Sequence, residues 1–422
     1  MKKRNAFTLI ELLAVIVILA VILVIAIPRI LDVIETSKKD SFKNSAQLIA
    51  DSAEKKKVSD KLLGKDEKIT CKDVAKISDE DYSKCSITFD EGGIAKVSIV
   101  GKGKFKRLKV IDGTKENAEV KEITKPTYGM KAVEYITNLL EYDGEGLKID
   151  NTSDANIRYY GSNPNNYVKF NNELWRIIGV FGNNVKLVRS ESLGSLSWDS
   201  SESSVNGGWG VNEWSQSALK NYLNTMYYGG TSVTCYNGQI KKEVTCPTGT
   251  IDETSKALID NHTWKTGAIE WSKITNTLAF YKDERGNETG KICNGGASCN
   301  DTVERTTEWP GYIGLPYATD YAYASGESIC ETNMVKQDSS NTYICKNNNW
   351  MFKPNTWYWT LSPDAFSGHS RYVWGVVSDG RVNGYLAAGG GAVFPAIYLK
   401  SNILIESGTG TSSNPYILKA GS

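Results

Sequence analysis

The sequence predicts an α+β protein: a long N-terminal helix that crosses a membrane and continues as a stalk, a small antiparallel sheet laid on it, then a large loop-rich domain. Three observations predict it. Residues 12–27 form an unbroken run without a polar side chain. Apolar residues alternate between positions 86 and 111, punctuated by glycine turns. From about residue 150 the composition turns to Trp, Tyr, Asn, Gly and Ser, with few helical periodicities. A chain of 422 residues exceeds one ordinary domain. With 40% hydrophobic and 23% charged residues it is not disordered overall. A net charge of +1 removes the whole-molecule field that would argue for nucleic acid or an acidic substrate.

The apolar run spans roughly 24 Å as a helix, and its apolar flanks complete a bilayer crossing. Lys2, Lys3 and Arg4 precede it, so the positive-inside rule keeps the N-terminus cytoplasmic and sends the bulk of the chain outward. A cleaved secretory signal would end in a small-residue site. Here the run ends in Ala26-Ile27-Pro28-Arg29 and continues as an amphipathic pattern. A plain anchor leaves Glu11 unexplained, since a charge at mid-bilayer costs about 2.5–3.5 kcal/mol even on the lenient scale.

Lys2-Lys3-Arg4-Asn5-Ala6-Phe7-Thr8-Leu9-Ile10-Glu11, followed by the apolar helix, resembles the class III leader of type IV prepilins and type II secretion pseudopilins. The resemblance covers about residues 1–36. It implies cutting between Ala6 and Phe7 by a prepilin peptidase on the cytoplasmic face, N-methylation of Phe7, and delivery to an inner-membrane assembly platform and other pilin subunits. Ala6 stands where glycine is usual, which implies slower cutting. Pro28, seventeen residues after Glu11, matches the place where such helices bend or melt. The resemblance also gives Glu11 an assembly role: its carboxylate neutralises the new amino terminus of a neighbouring subunit inside an apolar bundle.

Residues 1–6 are thus the leader and 7–36 the assembly helix. Phe42, Ala46, Ile49 and Ala53 recur at spacings of four, three and four, one face of a helix over residues 37–58. Residues 1–120 carry 23 Lys and Arg against 18 Asp and Glu, read as a solvated, membrane-proximal stalk. Alternation in 86–90 and 94–100, a turn at Glu91-Gly92-Gly93, and an apolar stretch at 105–111 predict a three-stranded meander on that helix, completing a pilin-like domain at 37–113. Residues 114–130 are polar and charged, read as a linker, and 131–422 form the head. A short helix at 132–140 opens the head. Its one further convincing helix lies near 215–222, and Gly182-Asn183-Asn184 signals a hairpin.

The eight cysteines fall at Cys71, Cys85, Cys235, Cys246, Cys293, Cys299, Cys330 and Cys345, four close pairs separated by long gaps. Sequential pairing needs only local loop closure, on the order of 3 kcal/mol for a loop of about 15 residues. Metal binding is the competing reading, although no CxxC occurs and His262 and His369 share no spacing with the cysteines. Disulfides would place these domains outside the cytoplasm.

Within the head, Arg158-Tyr159-Tyr160-Gly161, Trp175-Arg176-Ile177-Ile178-Gly179-Val180, Ala318-Thr319-Asp320-Tyr321, Trp359-Thr360-Leu361-Ser362-Pro363 and Phe394-Pro395-Ala396-Ile397-Tyr398 resemble a C-type-lectin-like domain common on the surface of low-GC Gram-positive bacteria. That fold family includes sugar binders, protein binders and formylglycine-generating enzymes, so fold alone does not choose. Related sequences carry Arg where Phe394 stands, which puts a polar network there in doubt. The Glu-Pro-Asn, Gln-Pro-Asp and Trp-Asn-Asp tripeptides of calcium-dependent sugar binding are absent, and Asn347-Asn348-Asn349-Trp350 reads as loop capping. No GxSxG or HExxH occurs, so neither catalysis nor a cofactor or metal is expected. Trp175, Trp198, Trp357 and Trp359 read as core. Trp209 and Trp214 flank a glycine-rich loop and are the candidate ligand contacts.

Together these readings predict a minor or tip pilin-like subunit presenting a lectin-like head for adhesion to a glycan or protein. The alternative is a pseudopilin of a type II secretion-like or DNA-uptake machine.

Overall fold

The computed structural model describes residues 9–422 apart from 66–67, 76–79, 143, 145, 270–275, 287–305, 333–344, 366–369 and 422, and apart from the side chains of 9–12, 19 and 21–26. The chain divides into two units: Met1–Lys125 with Glu141–Asp143, and Pro126–Leu140 with Gly144–Ser422.

In the first unit a single helix runs from Leu9 to Leu62. The four–three–four face is what it buries: Phe42, Ala46 and Ala53 are fully inaccessible and Ile49 nearly so. Ala46, Ala50 and Ala53 are small enough to let a sheet approach the helix backbone closely. That sheet has the order β1 (Tyr82–Phe89), β2 (Ala95–Gly101), β3 (Leu108–Gly113), β4 (Lys121–Glu122). Ala95, Val97 and Ile99 of β2 point alternately to the helix, as period two requires. The turn between β1 and β2 is closed by Asp90, whose Oδ1 accepts the Ile94 amide at 2.9 Å, and Gly93 supplies the positive φ of 82°.

Two expectations change here. The sheet has four strands, because β4 pairs with β3 inside residues 114–130, the segment read as a linker, where Ala118 and Ile123 are also buried. Phe105 is not in a strand: it closes the 3₁₀ turn Gly103–Phe105 and packs its ring 5.2 Å from Phe42, and β3 starts only at Leu108.

The second unit is built on a nine-stranded sheet. Its path runs Ile313–Gly314, Ala396–Tyr398, Asn184–Arg189, Glu173–Phe181, Tyr167–Phe170, Tyr416–Ala420, Ile403–Ser407, with Ile157–Tyr159 and Leu147–Ile149 branching from the central strand. Pairing is antiparallel except where Tyr416–Ala420 lies parallel to Tyr167–Phe170, which brings the C-terminal strand beside one of the unit's early strands. The predicted hairpin is present: Phe181 pairs with Asn184 across Gly182-Asn183, and Gly182 has φ +56°. A second, five-stranded sheet has the order Ser195–Leu196, Gly391–Ala392, Tyr358–Pro363, Tyr372–Val376, Val382–Leu386. Trp175, Trp198 and Trp359 are fully buried in the common core, and Trp357 is half-buried against it.

The helix Ala132–Tyr142 opens this unit as the sequence indicated. The helix near 215–222 proves shorter at its start: Trp214–Gln216 is a 3₁₀ turn, Ala218–Asn221 is α-helical, and Tyr222–Tyr228 continues as a π-helix. The sequence reading missed Thr277–Glu284 and Ala318–Tyr323. All six residues of Ala318–Tyr323 are buried, so the segment has no polar face to create a helical period.

Candidate functional site

Three features carry the functional questions: the N-terminal segment, the buried charges of the second unit, and a basic cleft on that unit. Ala6, Phe7 and the side chain of Glu11 lie outside the described residues. The helix continues through Pro28. Leu13, Ile16, Val17, Ile30 and Leu31 are exposed along it. Among the described residues no helix is long and apolar enough to cross a membrane, and much of the apolar run 12–27 lies among the undescribed side chains.

The cysteine pairing is local. Cys71–Cys85, Cys235–Cys246 and Cys330–Cys345 are disulfides, enclosing sequence separations of 14, 11 and 15 residues. Cys293, Cys299 and His369 lie outside the described residues. Asn349 caps its turn as expected, donating to the carbonyls of Tyr321 and Cys345 and accepting the Met351 amide.

The two candidate tryptophans separate. Trp214 is 1% exposed, wedged between Trp198 at 5.3 Å and Trp309 at 5.9 Å, so it is a core residue and not a surface contact. The 3₁₀ turn that carries it folds the indole inward. Trp209 is half-buried just after the turn Asn206–Gly208.

A network of buried charge, which composition and spacing did not reveal, crosses the second unit. Arg158 donates Nε to Asp150 at 2.9 Å and Nη1 to Asp320 at 2.5 Å. The other Asp320 oxygen accepts Lys186 Nζ at 2.6 Å and the Tyr317 amide at 2.9 Å. Glu284 accepts from Ser362, Thr319 and Arg285. Burial opposes the Asp320 carboxylate, but Lys186, Arg158 and Arg285 hold its pKa well below the usual carboxylate range. Burial, helped by the nearby Asp320 carboxylate, raises Glu284 against the pull of Arg285 and the hydrogen bonds from Ser362 and Thr319. The guanidinium of Arg158 lies 4.3 Å from the Phe181 ring centre, so aromatic faces line the network as well. It ties the strands Ile157–Tyr159 and Asn184–Arg189 to the helix Ala318–Tyr323. Arg158 and Asp320 both lie in the quoted lectin-like motifs. Phe394 takes no part: it packs on Tyr358 at 5.2 Å, with Lys353 Nζ 5.4 Å from its ring centre.

The cleft is different in kind. It measures ≈ 230 Å³, and Arg176, Arg189 and Lys353 line it with Glu173, Glu191 and Ser190. Arg189 is paired with Glu173 at 2.6 Å. Arg176 has neutral partners: Nε donates to Asn166 Oδ1 at 2.7 Å and Nη2 to the Pro164 carbonyl at 3.3 Å. Its plane lies against the rings of Tyr167 at 4.1 Å and Trp350 at 4.6 Å. It is 5% exposed, and burial lowers its pKa to about 10. Lys353 donates to the Ser190 carbonyl at 2.9 Å; burial, then Arg176, lower its pKa. The Ser190 hydroxyl is buried without a partner among the described residues. Neutral contacts hold Arg176, and Lys353 has the Ser190 carbonyl as its hydrogen-bond acceptor with the Glu191 carboxylate near but not bonded to it. The signal for this site was present in the sequence as Trp175-Arg176, but nothing near it in sequence marks Lys353 as its neighbour.

The comparisons with known proteins bear on the first feature. A family model described as the prokaryotic N-terminal methylation motif matches residues 1–27. No curated protein and no solved structure matches the chain. The matched motif supports a type IV pilin-like leader, and with it the general association of such chains with other pilins and a prepilin peptidase.

Proposed function

We propose that the chain is a minor or tip subunit of a type IV pilus-like filament and presents its C-terminal unit outside the cell for adhesion or partner recognition. The observation that carries the reading is the methylation motif at residues 1–27, with Glu11 set four residues beyond Phe7 in an otherwise apolar segment. Cutting after Ala6 creates a charged amino terminus, and Glu11 of a neighbouring subunit neutralises it where water is scarce. The exposed apolar residues of the long helix supply the remaining contact surface. The apolar run anchors the precursor with its N-terminus in the cytoplasm.

The size of the second unit supports a sparse or terminal position, since so bulky a head on every subunit would obstruct close helical packing. The local disulfides in both units support an oxidising location. The quoted motifs of residues 150–420 support a lectin-like head, a class of fold used for recognition.

The test is shearing. Filaments sheared from cells carrying the native chain should contain it, detected by antibody against residues 131–422, at a few copies per filament. A Glu11→Ala chain should remain in the membrane fraction and be lost from the sheared fraction. Equal release of both chains would refute the assembly role of Glu11. Recovery only in a short periplasm-like complex, never in sheared filaments, would favour the pseudopilin.

A further inference from the structure

We infer that the Arg176–Lys353 cleft is a binding site for a hydroxylated monocarboxylate, the acidic sugar residue of a polysaccharide or glycan. The inference rests on reading the C-terminal unit as a recognition head. Arg176 is buried and held by Asn166, Pro164, Tyr167 and Trp350, all neutral. Lys353 has a carbonyl as its hydrogen-bond acceptor. A buried and a half-buried cation that share a cleft and lack a bonded carboxylate call for an anion, and a guanidinium beside an ammonium suits a carboxylate.

The rest of the lining says what kind of anion. Glu173 and Glu191 stand on the same cleft, so three cations face two carboxylates. A monoanion satisfies that balance, and a doubly charged phosphate is repelled by the two glutamates. Glu173 and Glu191 also accept hydrogen bonds, and the Ser190 hydroxyl has none among the described residues. Donors and acceptors interleaved around a carboxylate site match a ring that carries hydroxyls beside its acid group. The volume of ≈ 230 Å³ falls below the roughly 300–1,000 Å³ usual for pockets that enclose drug-sized ligands, and so fits one ring-sized group of a longer chain. Tyr167, on the lining, carries the Arg176 guanidinium over its ring.

The experiment uses the full chain in detergent and titrates glucuronate, N-acetylneuraminate, the neutral methyl ester of glucuronate, glucose, an oligoglutamate peptide and inorganic phosphate, read by calorimetry or ligand-observed NMR. Glucuronate or N-acetylneuraminate should bind, with the ester and glucose roughly tenfold or more weaker. Lys353→Gln, which removes the charge while keeping an N–H donor on a shorter stem, should weaken the acid sugars by a similar factor and leave thermal unfolding unchanged. Arg176→Gln should do the same, and its melting curve shows whether it folds. Equal binding of acid and ester, no effect of Lys353→Gln, or tighter binding of phosphate or oligoglutamate would overturn the proposal, as would silence of every probe. The wider reading fails separately: a head that ignores these acids yet captures neutral glycans or matrix proteins on arrays is still a recognition head, and a chain that binds acid sugars but is never cut at Ala6 is not a pilin.

Discussion

The two units are stabilised in opposite ways. In the first, the interior is apolar and local: one helix face meets alternate residues of a small sheet, and pairs such as Lys39–Glu35 and Lys55–Asp51 stay at the surface. In the second, charge lies inside the core, and Arg158 finds Asp320 from 162 residues away. An apolar interior is specified by periodicity along the chain. A buried ionic core is specified by which distant residues must meet, since a charge left alone there costs far more than a missing methyl group.

Breaking that contrast should give a graded series. Asp320→Ala leaves Lys186 and Arg158 short of their shared partner, and should destabilise the second unit by about 5 kcal/mol in urea unfolding while the first unit's transition stays in place. The same carboxylate sets a pH dependence. Its folded pKa is depressed, so its contribution is intact above the unfolded value near pH 4 and is lost as pH falls below it. Acid titration of the native chain should therefore destabilise the second unit below about pH 4, and Asp320→Asn should flatten that limb. Phe42→Ala, which empties a fully buried site under Phe105 and Tyr82, should cost the first unit about 3–4 kcal/mol and show no such pH signature. Reducing Cys71–Cys85 should cost that unit about 3 kcal/mol on a chain-entropy estimate for a 14-residue separation. Lys55→Ala, removing an exposed pair, should change it by about 0.5 kcal/mol or less. A Lys55→Ala effect as large as that of Asp320→Ala would erase the distinction between the units.

The same contrast explains what the sequence disclosed. Phe42, Ala46, Ile49 and Ala53 announce a helix face because each is separated by one turn from the next, and β2 announces itself by Ala95, Val97 and Ile99. Cys71–Cys85 and its counterparts pair over short loops, so spacing alone suggested them. β4 was hidden because a two-residue strand is too short to show alternation. Ala318–Tyr323 was hidden because burial on every side removes the polar phase of the pattern. Trp214 illustrates the limit for sites: a tryptophan beside glycines reads as exposed until Trp198 and Trp309, from elsewhere in the chain, close over it. The cleft was only half legible for the same reason, since Lys353 joins Arg176 only in the folded unit.

If the chain is a pilin-like subunit, residues 1–6 are a leader removed before assembly. Intact-mass analysis of the protein recovered from the cell surface tests it most directly. The predicted species begins at Phe7, carries one extra methyl group there, and gains hydrogens only on reduction of its disulfides. Replacing Ala6 with Gly should speed its appearance. A surface protein that still begins at Met1, or that begins beyond residue 27 without the apolar run, would contradict the claim.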